Sequence, residues 1–174
     1  MSRIDLVRYE DLQDEAKREY DVQVKENGRV TNMKRTLLHS AVAFKAYQQW
    51  YPLRDEIQDF IGERGVFVFS LAISTQNECL LCSSFFRKIF IDRGENPDSL
   101  VLDDREKLLA EYGSRIAKDP NQISEELYAK LEAVFDDKQI VLLTAFAGMM
   151  AATNIFNSAL QIDLDDYLEN LKKL

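Results

Sequence analysis

The stretch Val66-Phe67-Val68-Phe69-Ser70-Leu71-Ala72-Ile73 decides the fold. It is rich in β-branched and aromatic residues, so local propensity alone reads it as a strand. A lone strand leaves its backbone donors and acceptors unpaired, and no second β-rich segment with turn chemistry is present to pair with it. The run is therefore read as a buried helix, and the chain as all-α.

Working outward, Thr75-Gln76-Asn77-Glu78 breaks the apolar pattern, and Asn77 is read as the N-cap of a helix through Cys79, Cys82, Phe85, Phe86, Ile89 and Phe90 to Gly94. Upstream, Pro52 opens a segment to Ile61, punctuated by Gly62 and Gly65. Thr31 or Asn32 caps a short helix with Leu37 and Leu38, and Ser40 caps the next, with His39 at the junction. The chain begins with an amphipathic stretch from about Tyr9 to Glu26, with Leu12, Ala16, Tyr20 and Val24 at helical spacing and Asn27-Gly28 as its stop.

Beyond the cysteines, Asp103 or Asp104 caps a helix from Arg105 to Ile116, Ser124 caps Glu125 to Phe135, and Asp136 with Gln139 forms a capping box. That box starts the apolar run Ile140 to Leu160, whose Thr144, Thr153, Asn154, Asn157 and Ser158 favour a buried helix over a membrane span. Ala145, Gly148, Ala151 and Ala152 on it let another helix come close, from a second subunit or from the same core. Leu164, Leu168 and Leu171 mark a short amphipathic tail helix. With no repeat or Pro/Gly/Ser linker, residues 1–174 are read as one domain with an N-terminal helical extension over about residues 1–30.

The 174 residues are 46% hydrophobic and 30% charged, enough for a packed core. A formal net charge of -8 argues against nucleic acid and anionic membrane surfaces as partners. The amino terminus has no apolar stretch of signal-peptide type, so a cytoplasmic location is expected.

Cys79 and Cys82 are the only cysteines and form Cys-x-x-Cys. A bridge this short closes almost no loop and makes a poor structural staple. With His39 the only histidine, a zinc site would need carboxylates or a second subunit, and no metal or cofactor is expected. Two readings remain: a dithiol that cycles to a disulfide, and two small buried apolar side chains. A helix start favours the Cys79 thiolate, whereas burial and access can favour Cys82, so the order of attack stays open. Glu78 is read as an exposed residue that stabilises the helix start.

The apolar helix leading into Asn77-x-Cys79-x-x-Cys82, then Asp104-Arg105-Glu106-Lys107-Leu108-Leu109, Ala117-Lys118-Asp119-Pro120 and Asn154-Ile155-Phe156-Asn157, resembles the carboxymuconolactone decarboxylase family, in particular its alkylhydroperoxidase D-like members, from roughly Asn32 to Gln161. The resemblance implies a single-domain all-helical bundle that assembles into homo-trimers or hexamers with the cysteines near a subunit interface. It implies a thiol-disulfide enzyme that reduces an organic hydroperoxide or an oxidised partner through Cys79 and Cys82 and is reset by an external dithiol. Family peroxidases carry a proton-relaying glutamate and histidine where this chain has Phe67, twelve residues before Cys79, and Phe86, four after Cys82. Some members also carry a histidine just before the second cysteine, where Leu81 stands here. Glu63 and His39 are candidate substitutes, each with a plainer reading as a solvated acid and a packing histidine. Phe67, Phe85 and Phe86 are expected to form an apolar wall that raises the thiol pKa. The alternative function is a non-catalytic oligomeric binding or redox-sensing module that has lost the relay.

Overall fold

Among residues 2–171, which the computed structural model describes, the chain folds into eight α-helices: α1 (Asp14–Asn27), α2 (Asn32–Leu37), α3 (Ala41–Gln48), α4 (Trp50–Gln76), α5 (Leu80–Asp92), α6 (Asp104–Lys118), α7 (Glu125–Glu132) and α8 (Asp137–Ala159). Short 3-10 turns occupy Tyr9–Asp11, Pro120–Gln122 and Asp166–Leu171, and there is no strand among the described residues. The caps lie where side-chain chemistry puts them. Thr31, Ser40, Asp103, Ser124 and Asp136 each accept the N–H three residues on, and Asp103/Glu106 and Asp136/Gln139 close reciprocal boxes.

Helix α4 is the axis of the core. Its second half holds the Val66–Ile73 run, in which Val66, Phe69, Ser70 and Ile73 are fully buried against α5, α6 and α8. A segment covered on so many sides shows no amphipathic stripe, which is why its sequence mimics a strand. Gly62, at φ +73° and ψ 164°, divides α4 into two helical pieces across a kink, a conformation open essentially to glycine alone. Close approach of α6 to α4 requires Gly113: a Cβ there would lie 2.8 Å from the Phe69 ring. Arg64 adds a polar tie, pairing with Glu95 at 2.7 Å and with Glu106 of the α6 capping box.

A second apolar cluster joins Val7, Leu12, Ala16, Leu37, Leu38 and Phe44, with Tyr47 and Phe156 packed against it. The chain ends are tied together beside it. Arg3 donates its backbone N–H to the Leu160 carbonyl at 2.9 Å, and Ser2 donates to the Asp163 carboxylate at 2.9 Å.

Four expectations change. The amphipathic stretch from Tyr9 becomes α-helical only at Asp14, and its buried stripe uses Ala16 and Gln23 while Val24 is exposed. Asn77 ends α4 rather than capping α5. The tail from Asp166 is a 3-10 turn, with Leu168 fully buried. Helix α8, long and apolar enough by composition to cross a membrane, is buried along one side only. Its other side exposes Val141 (65%), Ala145, Gly148 and Ile155 (66%), while Ala151 and Ala152 are half-buried and Tyr47 donates to the Ala152 carbonyl at 3.3 Å.

Candidate functional site

Between α4 and α5 the backbone turns within three residues. Cys79 N–H reaches the Ser74 carbonyl at 3.0 Å and Glu78 N–H the Thr75 carbonyl at 3.1 Å, a paired closure that requires Glu78 to be left-handed, at φ +52°. Emerging from that turn, Cys79 is itself the N-cap of α5, its carbonyl accepting the Ser83 N–H at 2.9 Å. Cys79 therefore lies just outside the helix and Cys82 on its first turn, and Glu78 precedes the cap instead of sitting in the first turn.

Both thiols are free and buried, with Cys79 1% and Cys82 5% exposed. Only Cys82 opens onto a cavity of about 300 Å³, walled by Met33, Leu37, Trp50, Phe85, Phe86 and Met150. Trp50 Nε1 donates to the Met150 sulfur at 2.8 Å, so even this indole is turned into the wall. Lys34 and Tyr51, joined by a 2.8 Å hydrogen bond, line the same cavity with Asp165 and Tyr167. Arg29 stacks over the Tyr167 ring at 3.7 Å, and Asn32 N–H donates to Asp165 Oδ1 at 2.8 Å. Burial pushes the Asp165 carboxyl up, and the Asn32 bond partly offsets that push.

The two thiols are driven apart in acidity. The hydrogen bond from Cys82 holds Cys79 down to about 7 against the opposing effect of burial, helped by the Cys82 backbone N–H, Ser158 and Asn157. Cys82 is raised well above an ordinary thiol, first by the hydrogen bond it makes to Cys79, then by burial and by the charge on its partner. One proton thus serves two sulfurs, and the titration belongs to the pair. Asn157 Nδ2 donates to Cys82 Sγ at 3.1 Å, the contact that favours charge on Cys82.

Phe67 and Phe86, at the two relay positions, face each other with ring centroids 6.4 Å apart, and Phe85 meets Phe86 edge-on at 5.1 Å. The expected apolar wall is present; burial pushes both thiols up, and at Cys79 the hydrogen bond from Cys82 outweighs that push. Neither substitute for the relay reaches the sulfurs. Glu63 pairs with Arg93 at 2.6 Å on the surface, and the His39 ring Nε2 meets the Asp5 carbonyl at 2.8 Å, beside the second cluster. No group of three His, Cys, Asp or Glu side chains able to hold a metal occurs among the described residues. The sequence reading did not assign Asn157 to the thiols, nor Met33 and Trp50 to their cavity. Its one signal was a row of polar residues inside an apolar helix.

No protein-family model and no curated protein matches this chain. Its structure is similar to that of an uncharacterized peroxidase-related protein with an alkylhydroperoxidase AhpD core from Ralstonia eutropha JMP134, at 17% identity and TM-score 0.73 over 96% of this chain and 94% of that one. It is likewise similar to an uncharacterized peroxidase-related protein from Silicibacter sp. TM1040, at 18% identity and TM-score 0.75 over 96% and 93% of the two chains. The fold is all-α and alkylhydroperoxidase D-like.

Proposed function

We propose that this chain is a thiol-disulfide enzyme that reduces an apolar organic hydroperoxide through Cys79 and Cys82 and is reset by an external dithiol, in a cytoplasmic setting. The observation that carries this reading is the opening of Cys82 alone onto an apolar cavity while its hydrogen-bonded partner Cys79 is acidic enough to be a thiolate near neutral pH. Similarity in fold to peroxidase-related proteins supports it.

In the chemistry we propose, Cys79 thiolate takes the Cys82 proton as Cys82 sulfur attacks the distal peroxide oxygen. The S–O bond forms and the O–O bond breaks, so sulfur is oxidised to a sulfenic acid and the alkoxide leaves. The alkoxide takes the proton from Cys79, becoming the alcohol and restoring the thiolate. Cys79 then attacks Cys82, forming the S–S bond, and the departing hydroxide takes a solvent proton to become water. An external dithiol returns the pair to its starting state by exchange.

Reduced protein exposed to tert-butyl or cumene hydroperoxide is expected to lose both thiols, with Cys82→Ser inert to the peroxide and Cys79→Ser, which lacks the base as well as the resolving thiol, reacting more slowly and stopping at the sulfenic acid. Thiols that survive millimolar peroxide unchanged would overturn the reading. They would favour a binding or redox-sensing module, to which the Phe67–Phe86 contact at the relay positions lends support.

We propose further that the chain works as a homo-oligomer joined through the open side of α8. Val141, Ala145, Gly148 and Ile155 form one exposed, largely apolar stripe there, and a Cβ on Gly148 would meet nothing within 4 Å.

A further inference from the structure

The charged groups that line the Cys82 cavity are Arg29, Lys34 and Asp165. Asp165 is already answered, since it accepts the Asn32 N–H at 2.8 Å and lies in the field of Arg29. Lys34 is not. Its Nζ donates to Gln23 Oε1 and, at 2.8 Å, to the Tyr51 hydroxyl, both neutral acceptors, and among the described residues it pairs with no carboxylate. Nor is it the counter-ion of the sulfurs, whose acidities are set by each other, by burial, and by Asn157 and Ser158.

A buried strut fixes this ammonium. Gln23 is 5% exposed, and its Oε1 accepts from Lys34 and from Asn27 Nδ2, the latter at 3.2 Å. An ammonium carries three hydrogens, and these contacts use two of them. Tyr51 accepts from Lys34 and gives its own O–H to no acceptor among the described residues. Two free donors thus stand on atoms 2.8 Å apart in the cavity lining, a spacing suited to the two oxygens of one carboxylate.

We infer that Lys34 and Tyr51 form a carboxylate subsite of the Cys82 cavity, and that the hydroperoxide reduced there is that of a single-chain fatty acid. The inference rests on the peroxidase reading above and gives it a substrate class. The apolar wall of Met33, Leu37, Trp50, Phe86 and Met150 receives the hydrocarbon, while Lys34 and Tyr51 hold the acid end. A cavity of about 300 Å³ is at the lower bound for ligand pockets and admits one acyl chain, not the pair carried by a phospholipid. Two cations against one carboxylate leave the lining positive in a chain of formal net charge -8, so the cavity favours an anion that the rest of the surface repels. Sulfur, peroxide and proton follow the steps given above; Lys34 and Tyr51 bind the substrate and take no part in them.

Trp50, the only tryptophan, lines the cavity, so its fluorescence reads occupancy directly. Octanoate and octanamide differ in charge and hardly in shape. Although the anion is costlier to desolvate, we expect octanoate to half-saturate the wild-type signal at about a tenfold lower concentration, a preference lost in Lys34→Met and reduced in Tyr51→Phe. Equal half-saturation of the wild-type protein by the two ligands would overturn the inference, whether or not the variants fold. In turnover, the ratio of kcat/KM for 13-hydroperoxyoctadecadienoic acid to that for its methyl ester should fall about tenfold from wild type to Lys34→Met, and an unchanged ratio counts against the subsite. Reduction of acid and ester at equal rates, with no preference for octanoate, sinks the inference and leaves the peroxidase reading standing. Thiols that survive both hydroperoxides in a protein that still prefers octanoate sink the peroxidase reading, and the substrate assigned here with it.

Discussion

At the scale of single residues, the acidity of Cys79 depends most on a hydrogen bond from its neighbour. Cys82→Ala removes that donor, so the Cys79 thiolate absorbance near 240 nm is expected to titrate clearly above pH 7, toward the ordinary thiol range. In the proposed chemistry the Cys79 thiolate is the base that takes the Cys82 proton, so peroxide consumption should rise as pH increases through about 7 and then level off. A stopped-flow pH profile flat from pH 5 to 9 would contradict the assignment. Strain sits beside the same sulfur, in the left-handed Glu78. Glu78→Gly is expected to raise stability by about 1 kcal/mol, read as a higher denaturant midpoint with unchanged slope, because only glycine enters that region without a Cβ penalty. The cysteines themselves were legible from spacing. Their unequal environments were not, since Asn157 lies 75 residues from Cys82 along the chain and nothing local announces a contact of that range.

Among elements, α4 shows both what side-chain pattern can reveal and where it stops. Elimination was enough to read Val66–Ile73 as a helix, because a lone strand has nowhere to place its hydrogen bonds. Asn77 misled because an Asn after a helix-like run serves a start or a stop equally well. The backbone decided for a stop by closing Cys79 N–H onto the Ser74 carbonyl. The contact between α4 and α6 invites a direct test. Gly113→Ala places a Cβ 2.8 Å from the Phe69 ring, which is fully buried and cannot swing aside. Despite alanine's better helix propensity, the variant should lose about 1–3 kcal/mol in urea unfolding, the usual cost of overpacking a tight core. A stabilised variant would mean that the two helices separate more easily than this packing implies.

For the whole molecule, the open side of α8 carries the main consequence. The composition suggested an apolar helix, and the small residues suggested a close neighbour, but a sequence alone does not tell which copy of the chain supplies it. Val141 and Ile155 are exposed, so among the described residues nothing in this chain covers that face, and the proposed homo-oligomer would supply the cover. Gly148→Glu is the discriminating change: in an exposed helical position it improves propensity, so any loss of assembly cannot be blamed on a weakened monomer. Sedimentation is expected to shift to the single-chain mass with helical content unchanged. A variant that sediments like wild type would remove α8 as the contact.

The stacking of Arg29 on Tyr167 and the bond from Asn32 to Asp165 bind an early loop to the carboxy-terminal turn over the chamber that holds Cys82. Part of the cavity wall is thereby fastened by contacts between two distant parts of the polypeptide. Trimming the last turn, Asp166–Leu171, is therefore expected to widen the range of thiol reagents that modify Cys82, read as faster labelling by bulky maleimides.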